Sequence, residues 1–592
     1  MAVLSPCLLL VRPASATTSG PSITHLTPSF PIVASTGGPV ELSASISNAA
    51  SCTLSTTPAV PGSPSSASCL NGVFSATLSL PSNTSRHDAV YKFKLEATSG
   101  MLSATSSVTV RVAPPLTGVR SIVSDAYNTG YCALMKSSQV DCWGYNLDGE
   151  LGNGNTVNQA SPTPVIATTG SGPLTGVRAV VNGYLGYCAL LISGHVDCWG
   201  LNDAGSLGAG DDAYDNSDLP RPVLGVGGNG QLGGVVALTT NSIGYCALLT
   251  GGNVDCWGPN HEGQLGNNTH DGSAQNFGSS TPVQVLGIGG TGLLSGVAQV
   301  VSGPNGQGYC AVLLSGGVDC WGFNRFGALG NGVDPDLQSD SPVPVAVVGT
   351  AGVGALSDVT AIVGGNWNSG FGGYCALLRS HSVDCWGYNL NGDLGNGTTT
   401  NADHPTPVVG LGGVGSLSGV RALVVNGNAG SYDSTSFCAL LLDHEAACWG
   451  TGSSGELGDN QSINSAVPVP VISVDQSGPL TNIEALTGGV NGTFCARLTT
   501  GAVDCWGPNG GALGNGTLLP NSSLPTQVIG TSGAGALTGV RAMASDGAGF
   551  CALTRTQQVN CWGFAYYGGL GDGQFDTTSP YILPTPVWVA SP

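Results

Sequence analysis

Charged residues are scarce in this chain: Asp, Glu, Lys and Arg together make up 8% of its 592 residues. Only 15 are Lys or Arg, against 35 acids, for a formal net charge of −20. Neutralising nucleic-acid phosphates takes clustered basic side chains, so this balance excludes nucleic acid as a partner and disfavours an anionic membrane surface. Long hydrophobic runs are missing as well. No stretch approaches the roughly 18 uninterrupted apolar residues of a membrane-spanning helix, and no membrane span is expected. Catalytic signatures are absent: there is no GxSxG with suitable His and Asp partners, no HExxH and no P-loop lysine, so a non-catalytic protein is expected. The Ala/Glu/Lys/Leu mixture of long helices is missing too. In its place stand 94 Gly and 35 Pro, with a hydrophobic content of 41% that is too high for a disordered chain. The expected class is all-β.

The glycines and prolines punctuate a repeat. Eight times the chain reads Tyr or Phe, Cys, nine residues, then Cys-Trp-Gly. The pairs are Cys132 and Cys142, Cys188 and Cys198, Cys246 and Cys256, Cys310 and Cys320, Cys375 and Cys385, Cys438 and Cys448, Cys495 and Cys505, and Cys551 and Cys561. Successive first cysteines lie 56 to 65 residues apart. Units open on Leu-x-Gly-Val and an apolar, β-branched run such as Val177–Val181, pass through the cysteine segment and continue into Gly-x-Leu-Gly, and most close on a Pro-Val strand. Four strands per copied unit is the content of a propeller blade.

The spacing of ten between paired cysteines is a statement about register. In the first unit a three-residue turn at Lys136-Ser137-Ser138 pairs Met135 with Gln139, which sets Cys132 opposite Cys142. Three-residue hairpin loops favour Gly at a left-handed position, and Gly194, Gly252 and Gly317 are expected to fill it. Directly opposed cysteines, expected with Cα atoms about 4.5 to 5.5 Å apart, can form a disulfide. Cys52 and Cys69 form a further pair, expected as a local staple, and only Cys7 is left over. The histidines do not recur with the cysteines, which argues for disulfides over metal sites and for an oxidising compartment. The apolar residues Ala2 to Val11 followed by Ala14-Ser15-Ala16 give residues 1–16 the form of an export segment. An extracellular or cell-surface location is expected.

Residues 17–113 lack the repeat and alternate apolar and polar positions, as in Val40–Ala44, Tyr91–Ala97 and Ser107–Val112. Six or seven such strands predict a β-sandwich, joined by Ala113-Pro114-Pro115 to the repeats at 116–592.

Cys-Trp-Gly-x-Asn followed by Gly-x-Leu-Gly resembles the repeat of the regulator of chromosome condensation family, over about residues 116–592. Asn146, Asn202, Asn260, Asn324, Asn389 and Asn509 hold the Asn position; Gly452 and Ala565 replace it in the sixth and eighth units, where a looser loop is expected. The resemblance implies a β-propeller. Rings of that family usually have seven blades closed by strands from both chain ends. The eight units here predict an eight-bladed ring, with a seven-bladed ring and one displaced or split unit as the alternative. The chain is similar to a bacterial, secreted form of these proteins, and residues 91–112 resemble the last strands of bacterial immunoglobulin-like surface modules.

Aromatics that recur in every unit are expected to pack between blades, so function is sought in the loops that vary. Tyr145, Phe323 and Tyr388 are candidate anchors for a partner. Asp211, Asp212 and Asp215 concentrate oxygen ligands that calcium would need, although no EF-hand spacing is present. No other cofactor is expected. The leading expectation is an exported monomer that presents propeller loops to a protein or glycan. A secreted enzyme inhibitor is the alternative, since some bacterial propellers of similar repeat type cover a β-lactamase active site. A guanine-nucleotide exchange role, as the resemblance would carry over, is opposed by the charge and the disulfides.

Overall fold

The computed structural model describes residues 20–591 apart from 30–31, 34–36, 62–68, 70–71, 84, 86, 125–129, 212–214, 271–277, 304–307, 335–339, 365–372, 427–434, 490, 519, 548, 565 and 576–581. The export segment, Cys7, Asp212 and Ala565 therefore lie outside the described residues. The chain forms two compact units, Met1–Pro114 and Pro115–Pro592. No helix among the described residues is long and apolar enough to cross a membrane.

The first unit contains strands β1 (Ser22–Ile23), β2 (Thr27–Pro28), β3 (Ile32–Val33), β4 (Gly38–Ser47), β5 (Ser51–Thr57), β6 (Val73–Leu80), β7 (Ala89–Ser99) and β8 (Leu102–Val112). They make two four-stranded sheets, one of β1, β4, β2 and β6, the other in the order β3-β8-β7-β5. Alternation along each strand sends Val40, Leu42, Phe74, Phe93, Leu95 and Val110 into one shared core, so the unit is a β-sandwich. Cys52 on β5 is bonded to Cys69, which lies just ahead of β6 in the other sheet.

The second unit contains eight four-stranded antiparallel sheets. The first has β9 (Val119–Ser124), β10 (Gly130–Met135), β11 (Val140–Gly144) and β12 (Gln159–Pro164), paired as a meander; the other seven repeat it, and we call the strands of every blade a to d. The a strands of successive blades touch one another, which places them innermost, and the a strand of the eighth blade (Val540–Ser545) touches that of the first. The ring is eight-bladed. Each blade is built from consecutive strands, so no strand is exchanged between the chain ends, as the family resemblance would imply. In its place Leu116 N–H donates to Val589 O at 2.8 Å, and Pro115 bridges Ala590. In the other seven blade connections the same kind of bridge closes within one loop, from Ile166↔Pro173 to Ile529↔Ala536.

The repeated cysteines stand directly opposed on strands b and c of every blade. Cys132 faces Cys142, Cys188 faces Cys198, Cys246 faces Cys256 and Cys310 faces Cys320. In the later blades Cys375 faces Cys385, Cys438 faces Cys448, Cys495 faces Cys505 and Cys551 faces Cys561. All eight pairs are disulfides with Cα atoms 4.0–4.1 Å apart. This is closer than the 4.5 to 5.5 Å expected from spacing alone, and the ladder explains the difference. Met135 N–H donates to Gln139 O at 2.8 Å, so that pair is hydrogen-bonded, and counting inward by alternation makes Cys132 and Cys142 a non-hydrogen-bonded pair, the site of closest approach. The left-handed turn residue is Ser138, Gly194, Gly252, Gly316, His381, His444, Gly501 and Gln557 in the eight blades. The fourth turn thus uses Gly316 (φ +85°) and not the Gly317 expected from sequence, because Leu313 closes the hairpin on Gly317.

Adjacent blades are fastened by a joint that the repeat motif supplies. The Trp of Cys-Trp-Gly, fully buried in every blade, stacks on the Tyr or Phe of its own hairpin at 5.7–6.1 Å between ring centres. Its indole N–H then donates to the carbonyl of the variable residue in the preceding blade's Gly-x-Leu-Gly, as in Trp199 to Glu150 at 2.8 Å and Trp386 to Ala328 at 3.0 Å. Both glycines are required by contact. A Cβ on Gly149 would lie 2.6 Å from Asp218 Cα of the next blade, and one on Gly152 2.9 Å from the Trp199 ring. A second bond runs from Gly154 N–H to Asp218 O and a third from Val177 N–H to Ser138 O, both 2.9 Å. The joint from the eighth blade to the first is the same in kind: Trp143 to Gly569 O at 2.9 Å, Gly573 N–H to Ala160 O at 2.8 Å and Val119 N–H to Gln557 O at 3.4 Å.

Asn146 shows why Asn follows Trp-Gly. It is fully buried, accepts Leu151 N–H at 2.8 Å and donates to Asn155 O and Val157 O, so one side chain folds the whole loop after strand c. Gly452 does not leave the sixth loop looser, as its missing side chain suggests. The loop closes onto the space: a Cβ there would strike the Ile463 carbonyl, and Gly452 N–H donates to Asn464 at 3.0 Å.

Candidate functional site

In an antiparallel meander the a–b and c–d loops lie at one end of each blade, and the b–c turns and blade connections at the other. The second end is uniform. Each connection that runs from strand d to the next strand a has 12 residues, from Pro164 to Val177 through Gln527 to Val540. The first end is not. Its a–b loops run from 3 residues between Asn182 and Gly186 to 10 between Val425 and Ser436, and its c–d loops from 14 between Gly144 and Gln159 to 20 between Gly258 and Ser279.

All five described sequence candidates fall in c–d loops or at their start, hence at the variable end, on blades one, two, four and five. They are not gathered into one site. Tyr145 is half-buried and meets Tyr567 of blade eight edge-on at 4.9 Å; burial, with Glu150 and Asp148 nearby, pushes its phenol up from the usual tyrosine range. Tyr388 is 2% exposed, packed edge-on at 5.2 Å against Phe326 of the neighbouring blade, so its ring is not free to anchor a partner. Phe323 is half-buried. The residues that sequence reasoning passed over are the outer members of these pairs: Tyr567, 43% exposed, and Phe326, which is half-buried and carries the Arg325 guanidinium 5.4 Å from its ring centre. Their left-handed backbones, φ +53° and +64°, are the signal that local sequence does not show.

Asp211 is held by Arg221 at 2.6 Å and Asp215 is exposed. Among the described residues no group of three or more His, Cys, Asp or Glu is placed to hold a metal ion. The insertion therefore gives calcium no set of ligands among the residues described.

Buried acids form a second feature, carried by the residue before the second cysteine. Asp141, Asp197, Asp255, Asp319, Asp384 and Asp504 are all buried. Desolvation pushes Asp141, Asp197 and Asp255 up to about 6, and raises Asp319, Asp384 and Asp504. Asp384 accepts Thr350 Oγ1–H at 2.7 Å, which pulls the other way, while Asp255 and Asp504 each keep an oxygen without a hydrogen bond among the described residues. Asp572 is likewise pushed up to about 6 by burial. A folded-state value above the unfolded one means the folded protein holds more protons between about pH 4 and 6. Stability therefore rises as pH falls through that window, and repulsion within a chain of net charge −20 acts in the same direction. The urea midpoint of unfolding is expected to be higher at pH 4.5 than at pH 7.5. A lower midpoint at pH 4.5 would contradict the upward shift that burial gives these acids.

A closed ring of self-similar blades, latched by Trp and Gly-x-Leu-Gly, defines a β-propeller. The chain is similar in sequence to several known proteins over part of its length. It is 30% identical to the human E3 ubiquitin-protein ligase HERC2 over 332 residues, 54% of this chain and 6% of the ligase. It is 27% identical to the Ultraviolet-B receptor UVR8 of Arabidopsis thaliana over 346 residues, 57% of this chain and 67% of the receptor. This chain thus spans only a small part of the ligase, and the likeness is confined to the propeller repeats. No protein-family model matches the chain. Similar solved structures include human WBSCR16, at TM-score 0.48 and 21% identity over 70% of this chain and all of that one. Prp20p of Saccharomyces cerevisiae has TM-score 0.47 and 19% identity over 70% and 91%.

Proposed function

We propose that this protein is an exported, non-catalytic binding scaffold that presents the variable end of an eight-bladed, disulfide-stapled propeller to a protein or glycan. One observation carries the reading: loop length varies only at that end, while the opposite end keeps its spacing in every blade. The side chains that recur are consumed in joints and hairpins, so what remains for recognition is the unrepeated part of the variable end. There Tyr567 and the Arg325–Phe326 pair offer aromatic and cationic surface of the kind that anchors interfaces. The staples support an oxidising, extracellular setting, and the low charge and acidic balance suit a secreted protein. The sandwich unit is proposed as an immunoglobulin-like spacer or anchor, and the whole as a bacterial surface or secreted protein.

The test is capture from culture medium and cell-surface fractions with the full chain, compared with Phe326→Ala and Tyr567→Ala. A partner retained by the native protein and lost by at least one variant, with thermal unfolding unchanged, is the expected outcome. Equal capture by both variants, or no partner from either fraction, would remove the variable end as the binding surface.

A further inference from the structure

Within the uniform end, one blade departs from the pattern at two facing positions. The residue before the second cysteine is Asp in six blades, Ala447 in the sixth and Asn560 in the eighth. Directly across the c–d ladder the other blades carry Pro, Gln or Ala, whereas the eighth carries Trp588. Trp588 is one of only two tryptophans outside the repeat, and Asn560 is 1% exposed. Both amide atoms of Asn560, Nδ2 and Oδ1, lack a hydrogen-bond partner among the described residues. A buried amide without a hydrogen bond is left desolvated and uncompensated, so such a group in a native structure calls for a partner.

The partner has room. Asn560 and Trp588 line a half-open cavity of about 370 Å³ together with Thr531, Thr554, Arg555 and Thr556. The corresponding cavity at the fourth-to-fifth blade junction is lined by Thr350, which satisfies the buried Asp384 from within the protein. Thr531, at the same position of its loop, makes no such bond to Asn560. Where the fifth blade has an acid satisfied from within, the eighth has an unsatisfied neutral amide with an indole across the ladder from it.

We propose that this cavity binds a pyranose sugar ring, with the ring packed on the Trp588 indole and its hydroxyls paired with the Asn560 amide. An amide both donates and accepts, as a sugar's vicinal hydroxyls do, and an aromatic face fits the apolar C–H surface of a pyranose. The exposed Arg555 and Thr556 at the hairpin turn add donors at the rim. The site lies at the opposite end of the ring from the loops proposed above, so each can fail without the other.

Saturation-transfer NMR with the full oxidised chain tests it, using the methyl pyranosides of glucose, galactose, mannose and N-acetylglucosamine as probes, followed by calorimetry on any that respond. Transfer to the ring protons of at least one probe is expected, abolished in Trp588→Ala and weakened at least tenfold in Asn560→Asp. The second variant installs the residue that six other blades already accommodate, so it separates lost binding from lost folding. No transfer to any probe, or equal affinity in both variants, would overturn the proposal. Unchanged partner capture at the variable end in those variants would confine that failure to the sugar site.

Discussion

Reducing the eight hairpin disulfides is expected to lower the thermal midpoint of the propeller by about 20 °C. Each bond closes a loop of about 11 residues, which the chain-entropy account values at roughly 3 kcal/mol, so eight of them constrain the unfolded chain by roughly 20 kcal/mol. A cooperative unit of this size has an unfolding entropy of about 1 kcal/mol/K, which converts that sum into the stated shift. The effect acts on the unfolded state; the hairpins keep their backbone ladders, and the Trp joints do not involve sulfur. The reduced protein should therefore remain a folded propeller at room temperature, with near-ultraviolet circular dichroism retained, and melt earlier. Calorimetry with and without a phosphine reductant measures it. A shift of only a few degrees would mean that the staples are redundant with the joints.

Gly330→Ala is expected to destabilise the protein by about 2–5 kcal/mol. The added Cβ would sit 2.7 Å from Trp386 Nε1 at a backbone φ of +62°. Left-handed backbone costs a non-glycine residue roughly 1–2 kcal/mol and overpacking roughly 1–3 kcal/mol more. Trp386 cannot yield, because it is stacked on Tyr374 at 5.7 Å and bonded to Ala328 O at 3.0 Å. Gly354→Ala is the control: its φ is +74°, but nothing lies within 4 Å of the new methyl, so only the backbone cost of about 1–2 kcal/mol applies. Chemical denaturation gives both values. Amide exchange should show Gly332 and Val359, whose N–H groups both bond across that joint, opening first in Gly330→Ala. Equal destabilisation by the two substitutions would show that the joint is not close-packed.

The hairpins were legible in the sequence because their determinants are local: an even cysteine spacing, a three-residue turn and alternation. Gly316 and Gly317 illustrate the limit, since two adjacent glycines fit the turn equally well until the closing hydrogen bond of Leu313 chooses between them. The joints were half legible. That Trp143 packs between blades follows from its recurrence, but its bond to Gly569 spans 426 residues and depends on the ring closing. The candidate anchors were the least legible. Tyr388 reads as an exposed loop aromatic and is buried by Phe326, a residue of another blade. Asn560 and Trp588 lie far apart in the chain and become a pair only through the c–d register, which a Pro-Val strand motif does not reveal.

The central claim is that the repeated cysteines and tryptophans are scaffold, with each cysteine pair closed inside its own hairpin. Peptide mapping by mass spectrometry of the native, thiol-blocked, unreduced protein tests it most directly. Eight links between cysteines ten residues apart, from Cys132 with Cys142 through Cys551 with Cys561, are predicted, together with Cys52 linked to Cys69 and no blocked thiol among these 18. Free thiols in the hairpins, or links joining cysteines of different blades, would contradict it.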